Sequence, residues 1–176
     1  MPSRRAQARY RECGGCVLTL TIRPAEPADA ALILRFVKEL AEFEREPDAV
    51  VATEAGLAYA LFEERSAEAV IAEQDGAPVG FALFFHNFST WTGRKGVYLE
   101  DLYVTPEARG SGVGTALLRH LAGIALDRDC ARFEWAVLDW NTPAVDFYTA
   151  MGADSQDEWT VRRVTGDALV KLAGRD

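Results

Sequence analysis

Three groups of residues carry types and spacings that could do chemistry. The first is Arg109-Gly110-Ser111-Gly112-Val113-Gly114, lying between an apolar run, Tyr98 to Val104, and an amphipathic run, Thr115 to Leu126. Alternate glycines keep side chains away from an incoming anion, and the first-turn amides of the helix that follows have no internal acceptor. The helix dipole adds about half a positive charge at the same end. A pyrophosphate suits such a row of N–H groups, with Arg109 as one further cation. A tight turn with no ligand uses the same glycines, so the motif alone leaves both readings open. It is not a Rossmann fingerprint, which needs two residues before its third glycine, nor a P-loop, which needs Lys-Ser or Lys-Thr after it.

The second group is Glu100-Asp101, adjacent carboxylates that point in opposite directions from one strand. Either can hold a cation and take its proton; either can equally be a surface charge paired with Arg or Lys. The third group brackets a short helix. Asn141 has an amide able to donate or accept, and it also stands where an N-cap belongs. Tyr148 is a phenol of pKa near 10, a proton donor in the right surroundings and otherwise a core aromatic beside Phe147.

Positioning these groups requires a mixed fold. Val17 to Ile22 alternates apolar residues with Thr and is closed by Pro24, which predicts a first strand. Pro27 and Asp29 open a helix whose Leu32, Ile33, Phe36, Val37, Leu40 and Phe43 recur at three and four, ending before Pro47. Thr53 caps a second helix through about Phe62. Ala69 to Ala72 and Val79 to Phe85 form a hairpin across Gln74-Asp75-Gly76-Ala77-Pro78, and Asn87 to Gly96 reads as a surface loop. The strand Val97 to Val104, the glycine loop and a helix to Asp127 follow. Then come a strand, Arg132 to Leu138, a helix, Thr142 to Met151, ended by Gly152, a last weakly alternating strand, Trp159 to Thr165, and a closing helical turn, Asp167 to Ala173. Strand, helix and strand around the glycines imply a parallel crossover in an otherwise antiparallel sheet, splayed between Val97 to Val104 and Arg132 to Leu138.

At 176 residues the chain is long enough for one domain, 18–176, behind a basic extension, 1–17, expected to be flexible. The net charge is -8, yet residues 1–16 carry four arginines against one glutamate, so the rest carries -11. That acidic body excludes general nucleic-acid binding and suits a cationic substrate. An odd count of three cysteines points to a reducing, cytoplasmic compartment, and the two histidines, His86 and His120, fall on separate elements. No metal site is expected. No apolar run reaches the ~20 residues of a membrane span.

The order of elements, with Leu99-Glu100-Asp101-Leu102-Tyr103-Val104, the glycine run and Asn141-Thr142-Pro143-Ala144-Val145-Asp146-Phe147-Tyr148, resembles the GNAT superfamily of acetyl-CoA-dependent N-acetyltransferases over about residues 19–173. Ile22-Arg23-Pro24-Ala25, Lys38-Glu39-Leu40-Ala41-Glu42-Phe43-Glu44, Tyr98-Leu99-Glu100-Asp101 and Trp140-Asn141-Thr142-Pro143 are similar to its diamine branch, the spermidine/spermine and thialysine acetyltransferases. The resemblance implies an α/β fold of the GNAT type, a homodimer and direct acetyl transfer to the primary amine of a small cationic acceptor, with acetyl-CoA as co-substrate and no covalent enzyme intermediate. It assigns CoA to Leu102, Tyr103 and Val104, to Arg109, Gly110, Ser111, Gly112, Val113, Gly114 and Thr115, and to Asn141 and Ala144, and the proton for the departing thiolate to Tyr148. Glu100 would bind the amine and relay its proton. Phe43, Glu44, Asp101, Glu134, Trp135 and Ala136 would line the acceptor site. Ala144 stands where spermidine/spermine acetyltransferases carry a hydroxyl, and the segment from Asp154 to Trp159 is shorter than theirs, which puts the acceptor in question. The alternatives are a protein lysine or N-terminal acetyltransferase and, in another class, an acyl-CoA-binding regulatory domain without turnover.

Overall fold

The structure, a computed structural model, describes residues 6–9 and 19–175. Cys13 and Cys16, on which part of the compartment reading rests, lie outside them. Contacts divide the chain into two compact units, 1–136 and 137–176.

The first unit is built on a six-stranded sheet in sequence order: β1 (Ala6–Arg9), β2 (Thr19–Pro24), β3 (Glu68–Gln74), β4 (Ala77–Ser89), β5 (Arg94–Val104) and β6 (Phe133–Trp135). All neighbours are antiparallel except β5 and β6, which are parallel. β1 lies in the stretch expected to stay outside the fold; it pairs Ala6 to Arg9 with Ile22 to Thr19, using the open edge of β2. The helices are α1 (Ala30–Phe43), α2 (Glu54–Ala58), extended by a π-helical turn Tyr59–Glu63, and α3 (Val113–Asp127). Pro27–Asp29 forms a 3-10 turn ahead of α1, and the Thr53 hydroxyl caps α2 by accepting from the Gly56 N–H.

α1 buries Ile33 and Phe36 against Ile71 and Phe81 of the sheet and Tyr103 of β5, with the Phe36 and Phe81 rings stacked 5.7 Å apart. Each such aromatic, buried in full, stabilises the fold by about 1.5–3 kcal/mol. Beside α1, Arg23 donates to both Asp29 carboxylate oxygens at 2.6 and 2.9 Å and to Glu73 at 2.8 Å, and the Glu26 N–H donates to Asp29 at 2.7 Å. The Arg23 guanidinium holds the Asp29 carboxyl below its ordinary range.

Three expectations need correcting here. Asn87 to Gly96 is not a loop: β4 runs to Ser89, β5 starts at Arg94, and the rungs Asn87 with Gly96 and Phe88 with Lys95 continue the ladder, because backbone pairing tolerates polar side chains on an exposed ribbon. Arg132 to Leu138 contributes only Phe133–Trp135 as strand. Trp159 to Thr165 forms no strand; its weak alternation meets no partner backbone within its own unit. That second unit consists of α4 (Thr142–Ala150) and α5 (Gly166–Leu172) with their connections.

Candidate active site

The site is organised by one extra residue. β4 and β5 pair Leu83 with Asp101 but Phe84 with Leu99, so Glu100 has no partner and forms a β-bulge. Cross-strand partners share a face. Leu99 therefore lies on the face of Phe84, and Asp101 lies on the opposite face, with Leu83, Phe81 and Tyr103 against α1. Simple alternation would have put Leu99 and Asp101 on the same side.

The bulge also changes which backbone groups are free. β6 accompanies β5 only from Val97 with Phe133 to Leu99 with Trp135, leaving the β5 edge open beyond that point. The Thr105 N–H donates to Val79 O at 2.9 Å, which fixes the phase of the ladder. Tyr103 then bonds β4 through its backbone, while Leu102 and Val104 turn their N–H and C=O groups to the open edge. An extended arm containing amides can add itself there as a strand.

The glycine loop follows directly. A 3-10 turn, Pro106–Ala108, leads to Gly110 and Gly112 at φ 77° and 90°, the left-handed region that other residues resist. Gly112 is the N-cap of α3 and has no side chain to cap with, so the amides of Val113, Gly114 and Thr115 face outward with no acceptor inside the helix. This cradle fits a pyrophosphate. The Ser111 hydroxyl donates to Ala108 O at 2.6 Å and accepts from Gln74 Nε2 at 3.2 Å, tying the loop to the end of β3.

Arg109 does something the sequence did not indicate. Its Nε donates to Val104 O at 3.1 Å, and its guanidinium lies 5.1 Å from the Phe43 ring centre and 5.9 Å from that of Tyr103. The side chain thus folds back over the start of the acceptor wall, and only one of the two groups that Val104 turns to the edge, its N–H, stays open. Tyr103 is pushed up to about 12, by burial first and then by a hydrogen bond to Glu39, so its phenol stays protonated.

Two of the predicted acceptor-site carboxylates, Glu100 and Glu44, act on a third, Asp101. α1 ends at Phe43, the Glu44 N–H donates to Leu40 O at 2.9 Å, and Arg45 turns left-handed at φ 67°, which places Glu44 at the mouth of the helix. Burial raises Glu44. Burial first, then the negative charges of Glu100 and Glu44, push Asp101 up to about 6. Glu100 itself is exposed. Glu134, by contrast, is already engaged: its Oε2 accepts from Asn87 Nδ2 at 2.6 Å and lies 2.7 Å from Arg132 Nε. It offers little free charge to a cation. Asn87 and Arg132 escaped sequence reasoning because cross-strand partners leave no local signal. Trp135 packs its ring 4.9 Å from that of Phe133, and Ala136 follows the end of β6.

In the second unit, Asn141 occupies the N-cap of α4. Its carbonyl accepts from the Ala144 and Val145 N–H groups at 3.0 Å, yet its side chain makes no cap hydrogen bond. The amide is thereby left for another use. Pro143 sits in the first turn, as its missing N–H favours. Ala144 and Tyr148 are half-buried on α4, and the Tyr148 ring lies 5.3 Å from that of Phe147.

An open strand edge runs into a glycine cradle at a helix start, with an acidic wall beside it, an arrangement whose shape and donors fit an extended phosphorylated molecule. Comparison with known proteins agrees. The acetyltransferase (GNAT) family matches residues 33–153, and the chain belongs to that family. It is 41% identical over 169 residues to a thialysine N-epsilon-acetyltransferase of Sus scrofa, covering 89% of this chain and 99% of that one. It is 32% identical over 194 residues to an L-ornithine N5-acetyltransferase of Arabidopsis thaliana, covering 84% and 85%. An integron cassette protein from the mobile metagenome of V. cholerae superposes with a TM-score of 0.74 at 29% identity, covering 88% of this chain and 97% of that one. The chain is an N-acetyltransferase, and its family uses acetyl-CoA as co-substrate.

Proposed function

We propose that this enzyme moves an acetyl group from acetyl-CoA to the primary amine of a small cationic acceptor of the diamine, polyamine or thialysine kind, in one direct step. The observation that carries the acceptor class is the group of Asp101, Glu100 and Glu44 beside the open β5 edge, in which the negative charges of Glu100 and Glu44 both act on Asp101. A cationic amine relieves that repulsion; a neutral acceptor does not. The names of the thialysine and ornithine acetyltransferases above point the same way, since both acceptors carry a side-chain amine.

In this reading the amides of Gly110 to Thr115 hold the pyrophosphate, and the edge groups of Leu102 with the one open group of Val104, its N–H, align the pantetheine arm. Acetyl-CoA supplies an activated thioester. The N–H of Val104 polarises its carbonyl as charge develops there, a role that preorganised backbone donors fill well. Asn141, with Ala144 beside it, contacts the arm near the thioester, and Tyr148 protonates the departing thiolate. Glu100 and Asp101 hold the ammonium and remove its proton, and Phe43, Glu44, Trp135 and Ala136 shape the acceptor site. The reading extends to a cytoplasmic homodimer, favoured by Phe88 and Trp91, exposed at the tip of the β4–β5 hairpin; a sedimentation mass of one chain refutes the dimer.

A thiol-release assay with acetyl-CoA and a panel of thialysine, ornithine, spermidine, a lysine-bearing peptide and a neutral amine tests this. The cationic small molecules are expected to raise thiol release at least tenfold over the others. Preference for the peptide would overturn the acceptor class, and tight CoA binding with no amine-dependent release would overturn turnover itself.

A further inference from the structure

Glu134, expected from the sequence to line the acceptor site, is held by two neighbours, and the tie they make crosses a strand. We infer that Asn87, Glu134 and Arg132 form a strap over Gly96 that fixes the register of β6 on β5, and thereby the length of β5 edge left open to the pantetheine arm. Asn87 and Glu134 are positioning residues for the cofactor and not part of the acceptor site. This inference rests on the acetyl-CoA reading of that edge.

The strap follows from the pairing. Asn87 stands opposite Gly96, and Glu134 stands opposite Tyr98. Gly96 and Tyr98 are two residues apart on β5, so all four share one face, with Asn87 on the β4 side of β5 and Glu134 on the β6 side. Glu134 Oε2 accepts from Asn87 Nδ2 at 2.6 Å across β5, and Arg132 Nε lies 2.7 Å from the same oxygen. Arg132 Nη2 reaches on towards Phe88 O of β4, at 3.5 Å. Only a glycine leaves room beneath. Gly96 is buried, and a Cβ there would lie 2.4 Å from Asn87 Oδ1 and 2.8 Å from Arg132 Cγ.

Backbone pairing alone fixes β6 weakly. The strand has three residues, and its ladder begins where the Ala131 N–H donates to Lys95 O at 2.8 Å and the Val97 N–H donates to Arg132 O at 3.0 Å. So short a strand has little of its own to hold a register. Slid by one residue, β6 would turn Glu134 to the other face, away from Asn87. Slid by two towards the carboxyl end of β5, it would bring Glu134 beside Glu100 and Asp101 and run past Leu99 onto the open edge. The strap excludes both. In the register it selects, the last rung, Trp135 with Leu99, falls immediately before the bulge at Glu100, so the covered part of the edge ends where the free groups begin.

The strap is not arranged for stability alone. Asn87 Oδ1 is buried with no hydrogen-bond partner among the described residues, and a buried acceptor left unmatched costs stability. What Asn87 contributes at that cost is the single bond from its Nδ2 to Glu134. Glu134 in turn already faces a guanidinium, which leaves it poorly placed to hold a second cation.

Calorimetric titration with CoA, and with its adenine nucleotide half lacking the pantetheine arm, tests the strap. Asn87→Ala and Glu134→Ala should each weaken CoA binding about three- to tenfold, as loss of one backbone hydrogen bond to the arm would, and should bind the nucleotide half as the wild type does. A role in stability alone would move both ligands or neither. The double variant should bind CoA no more weakly than either single one, because both break the same tie. Gly96→Ala should reproduce the effect with Asn87 and Glu134 in place. In thiol release, Asn87→Ala should show a raised KM for acetyl-CoA and an unchanged KM for the amine. Unchanged CoA affinity in both single variants, equal weakening of the nucleotide half, or a raised amine KM in Glu134→Ala that Asn87→Ala lacks would overturn the inference and leave acetylation standing. A wild type that binds no CoA would overturn the acetyl-CoA reading first, and the strap's role with it.

Discussion

Replacing Gly112 by Val separates the anion cradle from the rest of the fold. Gly112 sits at φ 90° as the N-cap of α3, and a β-branched residue is a severe outlier there. The left-handed conformation costs a residue bearing Cβ about 1–2 kcal/mol, and branching raises that toward 2 or beyond. For a chain of this length 2 kcal/mol corresponds to a fall in melting temperature of about 4–8 °C. The cofactor suffers separately. If the loop relaxes to negative φ, two amides of Val113 to Thr115 turn away from the phosphates. Hydrogen bonds to charged groups contribute about 1.5–3 kcal/mol each, so the loss is about 3–6 kcal/mol, or two to four orders of magnitude in affinity for CoA. Gly76 provides the control: it lies at φ 81° in the β3–β4 turn, with nothing within 4 Å of an added Cβ. Gly76→Val should lose similar stability and keep its affinity for CoA. Calorimetric titration with CoA alone, beside thermal melts of both variants, makes the comparison. Retained affinity in Gly112→Val, or equal loss in Gly76→Val, would refute the cradle.

The remaining predictions concern the proton donor and the tie beside α1. Tyr148→Phe should lower turnover ten- to ten-thousand-fold with CoA affinity unchanged, as loss of a general acid does; unchanged thiol release would remove Tyr148 from the reaction. Asp29→Asn should cost about 1–3 kcal/mol in denaturant unfolding at neutral pH, since it weakens the hydrogen bonds from Arg23. Because the folded state holds Asp29 below its ordinary range, the wild type has this contribution in full above the unfolded carboxylate value near 3.9 and loses it as pH falls below that value toward the folded one. The two proteins should therefore converge in stability as pH drops below about 4, and a constant gap from pH 7 to 2 would show that the charge of Asp29 contributes nothing.

The parts of this molecule that could be read from its sequence were those governed by local rules. Pro27 and the spacing of Ile33 and Phe36 marked α1, Thr53 marked the start of α2, and Gly110 and Gly112 marked the entry to α3, each by a backbone or packing requirement met within a few residues. What escaped depends on the neighbouring strand. Asn87 and Gly96 carry poor strand propensities, yet they face each other across β4 and β5 because the ladder on either side is already in register. The run Val97 to Val104 alternates as any strand does, and only the pairing of Leu83 and Phe84 reveals that Glu100 is an extra residue. Glu134 looked like a free carboxylate until Asn87 and Arg132 were found on it. The place of the Arg109 guanidinium over Phe43, sixty-six positions earlier, has no local signal either.

The single unpaired residue at position 100 has a consequence for how the enzyme can vary. In the strand as it stands, the residues after Glu100 are half a pleat out of step with those before it. Deleting Glu100 would make Leu99 and Asp101 consecutive, and ordinary alternation would keep Leu99 with Phe84 and Asp101 with Leu83. Tyr103 would stay in the α1 core and Leu102 and Val104 would keep their edge groups, so the loss would be the bulge and one carboxylate. Deleting a paired residue such as Leu102 is different: every later side chain would change face and Tyr103 would leave the α1 core, whereas an insertion at the β4–β5 turn around Trp91 only lengthens a ribbon.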